Sequence, residues 1–293
     1  APRYYSFDGV LYANDVAGKE ISYFPVAKGG EYVIAPGTVR IPGKVFYKIT
    51  GLTHVTIPAS VSIIAQSAFE DCSSLTDIVF AEPQDGEVPG ELSIAKYAFQ
   101  KCVKLRNVTF PARLAQFDTT IFTGCTLLDR ININENCAVY ASIDGIVTSK
   151  DKTKIVYCPN GRTGNIAIPA LVTEIGDSAF SGCSKIQEIT IPYTVTAIGK
   201  SAFNNTGITK VTFKGNLDAQ PMTIGYRAFY RCYSLTEVVF EEHSAVSVIG
   251  EEAFAYDNGL KTLTVPASVV TIGKKAFRSC TQIREVKFED GLE

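Results

Sequence analysis

The residues able to do chemistry are few and regularly placed. Eight cysteines and two histidines stand among 293 residues, and these two types could supply thiol nucleophiles, disulfides or a zinc site. Six of the cysteines, Cys72, Cys102, Cys125, Cys183, Cys232 and Cys280, each follow a phenylalanine by three residues. Ile49, Thr206 and Asp257 take that place after three other phenylalanines. A position that accepts isoleucine is an inward packing site, which a free thiol suits as a small buried hydrophobe. With no Cys-x-x-Cys and no Cys/His pair, a metal site is not expected. Cys137 and Cys158 fall outside the column, and a disulfide between them stays open. His54 and His243 have no motif partner: no Gly-x-Ser-x-Gly, His-Glu-x-x-His, phosphate loop or Gly-x-Gly-x-x-Gly occurs. Solvated histidines on a non-catalytic chain without a cofactor are the expectation.

A column of cysteines needs an element that recurs. Ala-Phe recurs at Phe69, Phe99, Phe180, Phe203, Phe229, Phe254 and Phe277, with Phe46 and Phe122 as weaker members. Steps of 23 residues separate Phe46 from Phe69, Phe99 from Phe122, Phe180 from Phe203 and Phe254 from Phe277. The other steps are 30, 25, 26 and 58, so insertions interrupt a unit of 23. Five residues before the Phe an apolar residue recurs, as at Ile64, Ile175 and Ile272. Gly follows it at Gly176, Gly199, Gly225, Gly250 and Gly273, which reads as a turn. Six after the Phe come Leu52, Leu75, Leu105, Leu128, Ile186, Leu235, Leu260 and Ile283.

Period-two stretches such as Ile78-Val79-Phe80 predict strands with one buried face. Ile64, Ala68, Cys72 and Leu75, spaced four, four and three apart, predict one face of a short helix or 3₁₀ segment. One such coil has too little apolar surface to offset its ordering entropy, so stability must lie between neighbours.

Two segments depart from the repeat. Asp8-Gly9-Val10-Leu11-Tyr12 with Ile21–Pro25, and Asp144-Gly145-Ile146-Val147 with Ile155–Pro159, each read as two strands joined by a polar turn. The expected organisation is a capping hairpin module over 1–40, a repeat block over 41–131, an inserted hairpin module over 132–168 and a second block over 169–293, forming one continuous solenoid.

The bulk numbers fit this reading. Hydrophobic content is 46%, charge 20% and formal net charge −2, which favours neither nucleic acid nor an anionic membrane. No apolar run approaches the roughly 18 residues of a transmembrane segment. The start Ala1-Pro2-Arg3 has no initiator Met or signal-peptide core, as in a processed exported protein or a trimmed chain. The end at Glu293 follows a strand without a capping unit, so a continuing chain or a covering surface is expected there.

The strand positions pointing away from the core form the candidate contact face. Eight residues after the Phe these are His54, Asp77, Asn107, Arg130, Glu188, Glu237, Thr262 and Glu285, with Lys210 in a shortened repeat. Ten after come Thr56, Val79, Thr109, Asn132, Thr190, Val239, Thr264 and Lys287, with Thr212. Strands spaced about 4.8 Å apart would extend these rows into a strip roughly 40 Å long. Solubility and strand propensity alone also account for such residues. The face lacks aromatic rings, which argues against stacking on sugars or bases. Insertions at 81–91 and 214–221 form a competing surface. In the first, Glu82, Asp85, Glu87 and Glu91 match no calcium loop, and a solvated loop is the reading.

The run Ile-Gly-x-x-Ala-Phe-x-x-Cys-x-x-Leu-x-x-Val-x-Ile-Pro, clearest over 175–192 and 272–288, resembles the BspA-type leucine-rich repeat of bacterial surface proteins. The resemblance covers nearly the whole chain, though Cys here precedes Leu by three where the general leucine-rich pattern has Asn or Cys after the strand. It implies an α/β repeat solenoid, a leucine-rich-repeat superhelix of strand plus short helix or 3₁₀ coils with two β-hairpin modules. It also implies a secreted or surface-attached protein that adheres to a host matrix or cell-surface protein partner. No catalytic or ligand residue carries over. A glycan- or envelope-binding module of a larger exported protein is the alternative, and oligomeric state is not indicated.

Overall fold

The computed structural model describes residues 3–15, 18–83, 86 and 88–289. The chain divides into two compact units, Ala1–Lys150 and Asp151–Glu293.

In the first unit one sheet runs through the strands Tyr4–Phe7, Val10–Asp15, Gly18–Tyr23, Thr38–Ile41, Ile63–Ile64, Leu92–Ile94 and Leu114–Gln116. Its first three strands are antiparallel and the rest parallel. On another side, Gly30–Val33, Leu52–Ile57 and Asp77–Phe80 form a parallel sheet, and Asn107–Phe110 pairs with Arg130–Ile133. In the second unit Lys154–Tyr157, Glu174–Ile175, Ala197–Ile198, Met222–Ile224, Val246–Ile249 and Thr271–Ile272 make one parallel sheet. Gly164–Ala167, Ile186–Ile191, Lys210–Phe213 and Glu237–Phe240 make another, and Thr262–Val265 pairs with Glu285–Phe288. A coil therefore has two strands and a turn-rich ridge that holds the Ala-Phe pair.

The short helix or 3₁₀ segment expected from the four-four-three spacing is absent: among the described residues there is no helix, and the ridge is a chain of turns. The cause lies in the backbone. In every coil but that of Phe122, where only Gly124 does so, the residues two before and two after the Phe have positive φ, as in Ser67 and Asp71 (57° and 61°), Arg227 and Arg231 (53° and 61°), and Lys275 and Ser279 (both 58°). Left-handed residues at that interval stop a helix from propagating. They also turn alternate peptide groups along the stacking direction. In the coil of Phe203 the N–H groups of Ser201, Phe203 and Asn205 donate to the carbonyls of Tyr226, Ala228 and Tyr230 in the next coil, at 2.9, 2.7 and 2.9 Å. Arg227, Phe229 and Arg231 donate onward to Glu251, Ala253 and Ala255 in the same way. These bonds satisfy a buried backbone that no helix supports.

Apolar columns follow the same axis. In the first unit the rings of Phe46, Phe69, Phe99 and Phe122 stack at 4.5, 5.0 and 5.6 Å between centroids. In the second, Phe180, Phe203, Phe229, Phe254 and Phe277 stack at 4.8, 4.8, 4.9 and 5.5 Å. Leu52, Leu75, Leu105 and Leu128 in one unit, and Ile186, Leu235 and Leu260 in the other, are fully buried.

The glycine column has a different cause from the turn expected of it. Gly176, Gly199, Gly225, Gly250 and Gly273 do not have left-handed φ. A Cβ on Gly225 would instead lie 2.5 Å from the carbonyl oxygen of Ile198, and one on Gly250 lies 2.7 Å from that of Ile224. Close approach of adjacent coils sets the residue there.

The cysteine column is buried as expected except at Cys280, which is half-exposed, and it also donates hydrogen bonds. The thiols of Cys72, Cys102, Cys125, Cys232 and Cys280 reach the carbonyls of Phe46, Phe69, Phe99, Phe203 and Phe254 in the preceding coil at 3.0–3.2 Å. All eight cysteines are free thiols, so Cys137 and Cys158 form no disulfide.

The hairpins differ in detail from their sequence pattern. Val10–Asp15 and Gly18–Tyr23 pair antiparallel as expected. In both modules, however, the Asp-Gly pair is itself a hairpin turn. Asp8 and Gly9 (φ 46° and 72°) join Tyr4–Phe7 to Val10–Asp15, and Asp144 and Gly145 (48° and 79°) join Tyr140–Ile143 to Ile146–Ser149. Positive φ at both central residues is the type I′ requirement, which Asp-Gly meets.

Two outcomes test this packing. Phe229→Ala removes the middle ring of a five-ring stack and should cost about 3–5 kcal/mol in denaturant unfolding. Thiol titration should find eight reactive groups in denaturant, and native labelling should reach Cys280 first. Burial pushes the Cys280 thiol up only to about 11, against about 12 at Cys72, and Cys280 alone is half-exposed.

Candidate functional site

Parallel pairing in register turns the outward positions into rows. In the first unit Glu31, His54 and Asp77 are direct cross-strand neighbours, and Asn107 faces Arg130. In the second, Glu188, Lys210 and Glu237 form one row and Thr262 faces Glu285. The adjoining row brings Val33, Thr56 and Val79 together in one unit and Thr190, Thr212 and Val239 in the other. Asp77, Asn107, Arg130, Glu188, Glu237, Thr262 and Glu285 are exposed, whereas His54 and Lys210 are half-buried by their neighbours.

The charges in these rows mostly find partners on the next strand. His54 Nε2 lies 3.0 Å from Asp77 Oδ2, and its Nδ1 is 4.0 Å from Glu31 Oε1. Lys210 Nζ donates to Glu237 Oε1 at 2.9 Å, and that carboxylate raises the lysine's pKa. Asn165 Nδ2 donates to Glu188 Oε2 at 3.2 Å. Arg130 is drawn out of the row: its guanidinium reaches Asp144 in the hairpin turn at 3.0 Å, and the backbone N–H of Ile131 donates to Gly145. Exposed pairs of this kind add little stability, so such a face is free to vary with what it meets.

One feature of the face has relief. Asp77–Phe80 and Asn107–Phe110 lie side by side without forming a ladder. There a hollow of ≈ 320 Å³ opens, lined by Asp77, Val79, Glu82, Asn107, Thr109 and Asn134. Two candidate contact residues, Asp77 and Asn107, thus share a rim that the sequence pattern did not show. The rim is acidic and amide-bearing, a fit for a cationic side chain.

His243 has no place in the rows. It lies beside Glu242 (3.5 Å) at the edge of a separate hollow of ≈ 420 Å³ with Ser244, Ser268 and Glu289. Neither serine is placed to act as a nucleophile. The Ser244 hydroxyl is sealed from solvent, and Ser268 donates to the carbonyl of Val246 at 2.8 Å. Among the described residues no group of three His, Cys, Asp or Glu side chains is gathered to hold a metal ion. Asp85 and Glu87 of the acidic loop lie outside the described residues, as do 290–293 at the chain's end. No helix of the described residues is long and apolar enough to cross a membrane.

With the coils and rows in place, the repeat can be matched to known proteins. The profile of the BspA type Leucine rich repeat region matches in six copies, over residues 39–143 and 156–284. The chain belongs to the BspA-type leucine-rich repeat family. A leucine rich cell surface protein from Faecalibacterium prausnitzii is 20% identical with a TM-score of 0.51, covering 99% of this chain and 95% of its own. The pneumococcal vaccine antigen PcpA is 17% identical with a TM-score of 0.60, covering 99% of this chain and 82% of its own. No curated protein sequence matches the chain. These structures share the fold of this BspA-type repeat protein.

Asp257 is the carboxylate of the cysteine column. It is fully buried, its Oδ1 accepts from the N–H of Cys232 at 2.8 Å, and its Oδ2 has no hydrogen-bond partner. Burial pushes its carboxyl up to about 9, against the smaller opposing effect of the Cys232 N–H. Sealed in the stack, it cannot meet a substrate. Because the folded pKa lies above the unfolded value near 3.8, the unfolded chain binds fewer protons between these limits. This group's contribution to stability therefore falls as pH rises from about 4 towards 9. Asp257→Asn should melt higher than the native chain at pH 8, with the gap closing at pH 4. A gap independent of pH would refute the buried-acid assignment.

Proposed function

We propose that this BspA-type repeat protein is a non-catalytic, exported or cell-surface protein that binds a protein partner through its outward strand rows. The contact centres on His54, Asp77 and Asn107 in the first unit. The hollow between Asp77 and Asn107 carries this reading, because it is where a flat row of paired charges gains a recess that can accept a partner's side chain. Its rim of Asp77 and Glu82 is acidic and suits a lysine or arginine presented by the partner. In the second unit Glu188, Lys210, Glu237, Thr262 and Glu285 offer a polar contact surface of their own. Rows of this kind add complementarity and orientation more than affinity.

Exported placement is supported by the family and by the cell-surface description of the Faecalibacterium protein. A host matrix or cell-surface protein is the partner class that this placement suggests.

The test uses the purified chain against immobilised extracellular-matrix proteins, alongside surface labelling of cells that express it natively. Asp77→Lys with Asn107→Lys should weaken binding by about tenfold or more by placing cations at the mouth of the hollow. The same variant should keep the native melting transition, since both side chains are exposed. Retention only inside the native cell, or binding indifferent to this pair of changes, would refute the proposal.

A further inference from the structure

The ridge of turns in the second unit carries an unbroken alternation of cations and aromatic rings. Lys200 Nζ lies 5.6 Å from the centroid of Tyr226, and the Arg227 guanidinium lies 4.8 Å from both Tyr226 and Tyr230. Arg231 continues the line at 5.1 Å from Tyr230 and 5.8 Å from Tyr256, and Arg278 ends it 5.7 Å from Tyr256. The line crosses four coils, and Lys274 and Lys275 lie exposed beside its last member. Glu252 is held by Arg227 at 2.6 Å, Glu251 and the buried Asp257 also lie on these turns, and Asp177 of the preceding coil accepts from the backbone N–H of Lys200 at 2.7 Å. The line is strongly cationic on a chain whose net charge is −2.

We propose that this ridge is a binding surface for a linear sulfated polysaccharide, separate from the strand rows and independent of the protein-binding reading. Three arguments select that partner. First, the tyrosines hold the guanidinium arms in fixed positions before any ligand arrives, which removes most of the ordering cost of an ion contact. Planar guanidinium groups match sulfate oxygens with paired N–H donors. Second, the half-buried faces of Tyr226, Tyr230 and Tyr256 are already taken by cations, so bases of a nucleic acid find no open stacking platform. Third, the ridge peptides from Ser201 to Tyr256 are bonded coil to coil, so an acidic peptide finds no main-chain partners along the line. A densely sulfated chain needs neither stacking nor a backbone edge. It needs an anion at each step, with sugar C–H surface lying on the aliphatic arms of arginine.

The experiment is heparin binding by the full chain at physiological ionic strength, where isolated surface charges are largely screened. Arg231 and Arg278 are the variant positions, because both are exposed and neither holds the buried carboxylate of Glu252. Arg231→Gln with Arg278→Gln should weaken heparin binding by about tenfold or more. Arg231→Lys with Arg278→Lys should restore part of it by keeping charge without the planar fork. Circular dichroism and thermal melting should match the native chain in both variants. Absence of heparin binding by the native chain, or equal binding by the glutamine variant, would overturn the assignment. Equal affinity for desulfated heparin, polyglutamate or a single-stranded oligonucleotide would overturn it as well, by showing that sulfate is not what is recognised.

Discussion

The hydrogen bonding and burial of each coil are completed by its neighbours. On the ridge, alternate peptides accept from the preceding coil and donate to the next, because left-handed residues flank every Phe of the column except Phe122 and forbid the helix that would otherwise satisfy them. Phenylalanine rings, branched aliphatic columns and thiols fill the space those bonds enclose. Backbone and side chains thus obey one spacing, set by stacked rings at 4.5–5.6 Å in the two units. A strained backbone conformation is tolerated at so many lysines, serines and arginines because the ladder over-determines it.

Some of this was legible in the residues. The Ala-Phe, Leu and Cys columns were, because each inward position faces its equivalent in the next coil and only a narrow range of shapes fits. The strand rows were legible too, since period-two alternation fixes which side of a strand is buried. The helix was misread because inward residues four, four and three apart also arise from successive turns. Nothing in Ser67, Arg227 or Lys275 announces a left-handed backbone, which glycine or asparagine usually marks. The glycine column was read as conformational when its cause is the neighbouring carbonyl, a distance that one coil's sequence does not contain. The Asp-Gly pairs carried a hairpin signal that was assigned to the strand beside them.

The candidate surfaces divide along the same line. His54, Asp77 and Asn107 could be aligned by counting, but the hollow between the last two depends on two neighbouring strands that do not pair. The tyrosines and arginines of the ridge occupy columns that vary from coil to coil, so alignment hides them. They meet only because positions −3, −2, +1 and +2 about the Phe, on different coils, are brought together by the turns. Asp257 shows the reverse case. Its column was plain, and its carboxylate looked like one more tolerated substitution, yet burial gives it a proton affinity far from that of an exposed acid.

The axial peptides also give the stack a polarity. In the ridge turns of Phe180, Phe203, Phe229 and Phe254 all three N–H groups donate to later residues, and the carbonyls that accept belong to the coil after the donor. The coils of Phe203 and Phe229 each receive one set of three bonds and return an identical set, so their faces are interchangeable with each other's but never reversed. Whole coils can accordingly be duplicated or excised with the ladder closing again behind them, while a reversed or fractional coil would confront donors with donors. Length in such a protein is a quantity that changes in whole steps and in one sense only, and the reach of any surface spread across several coils changes with it.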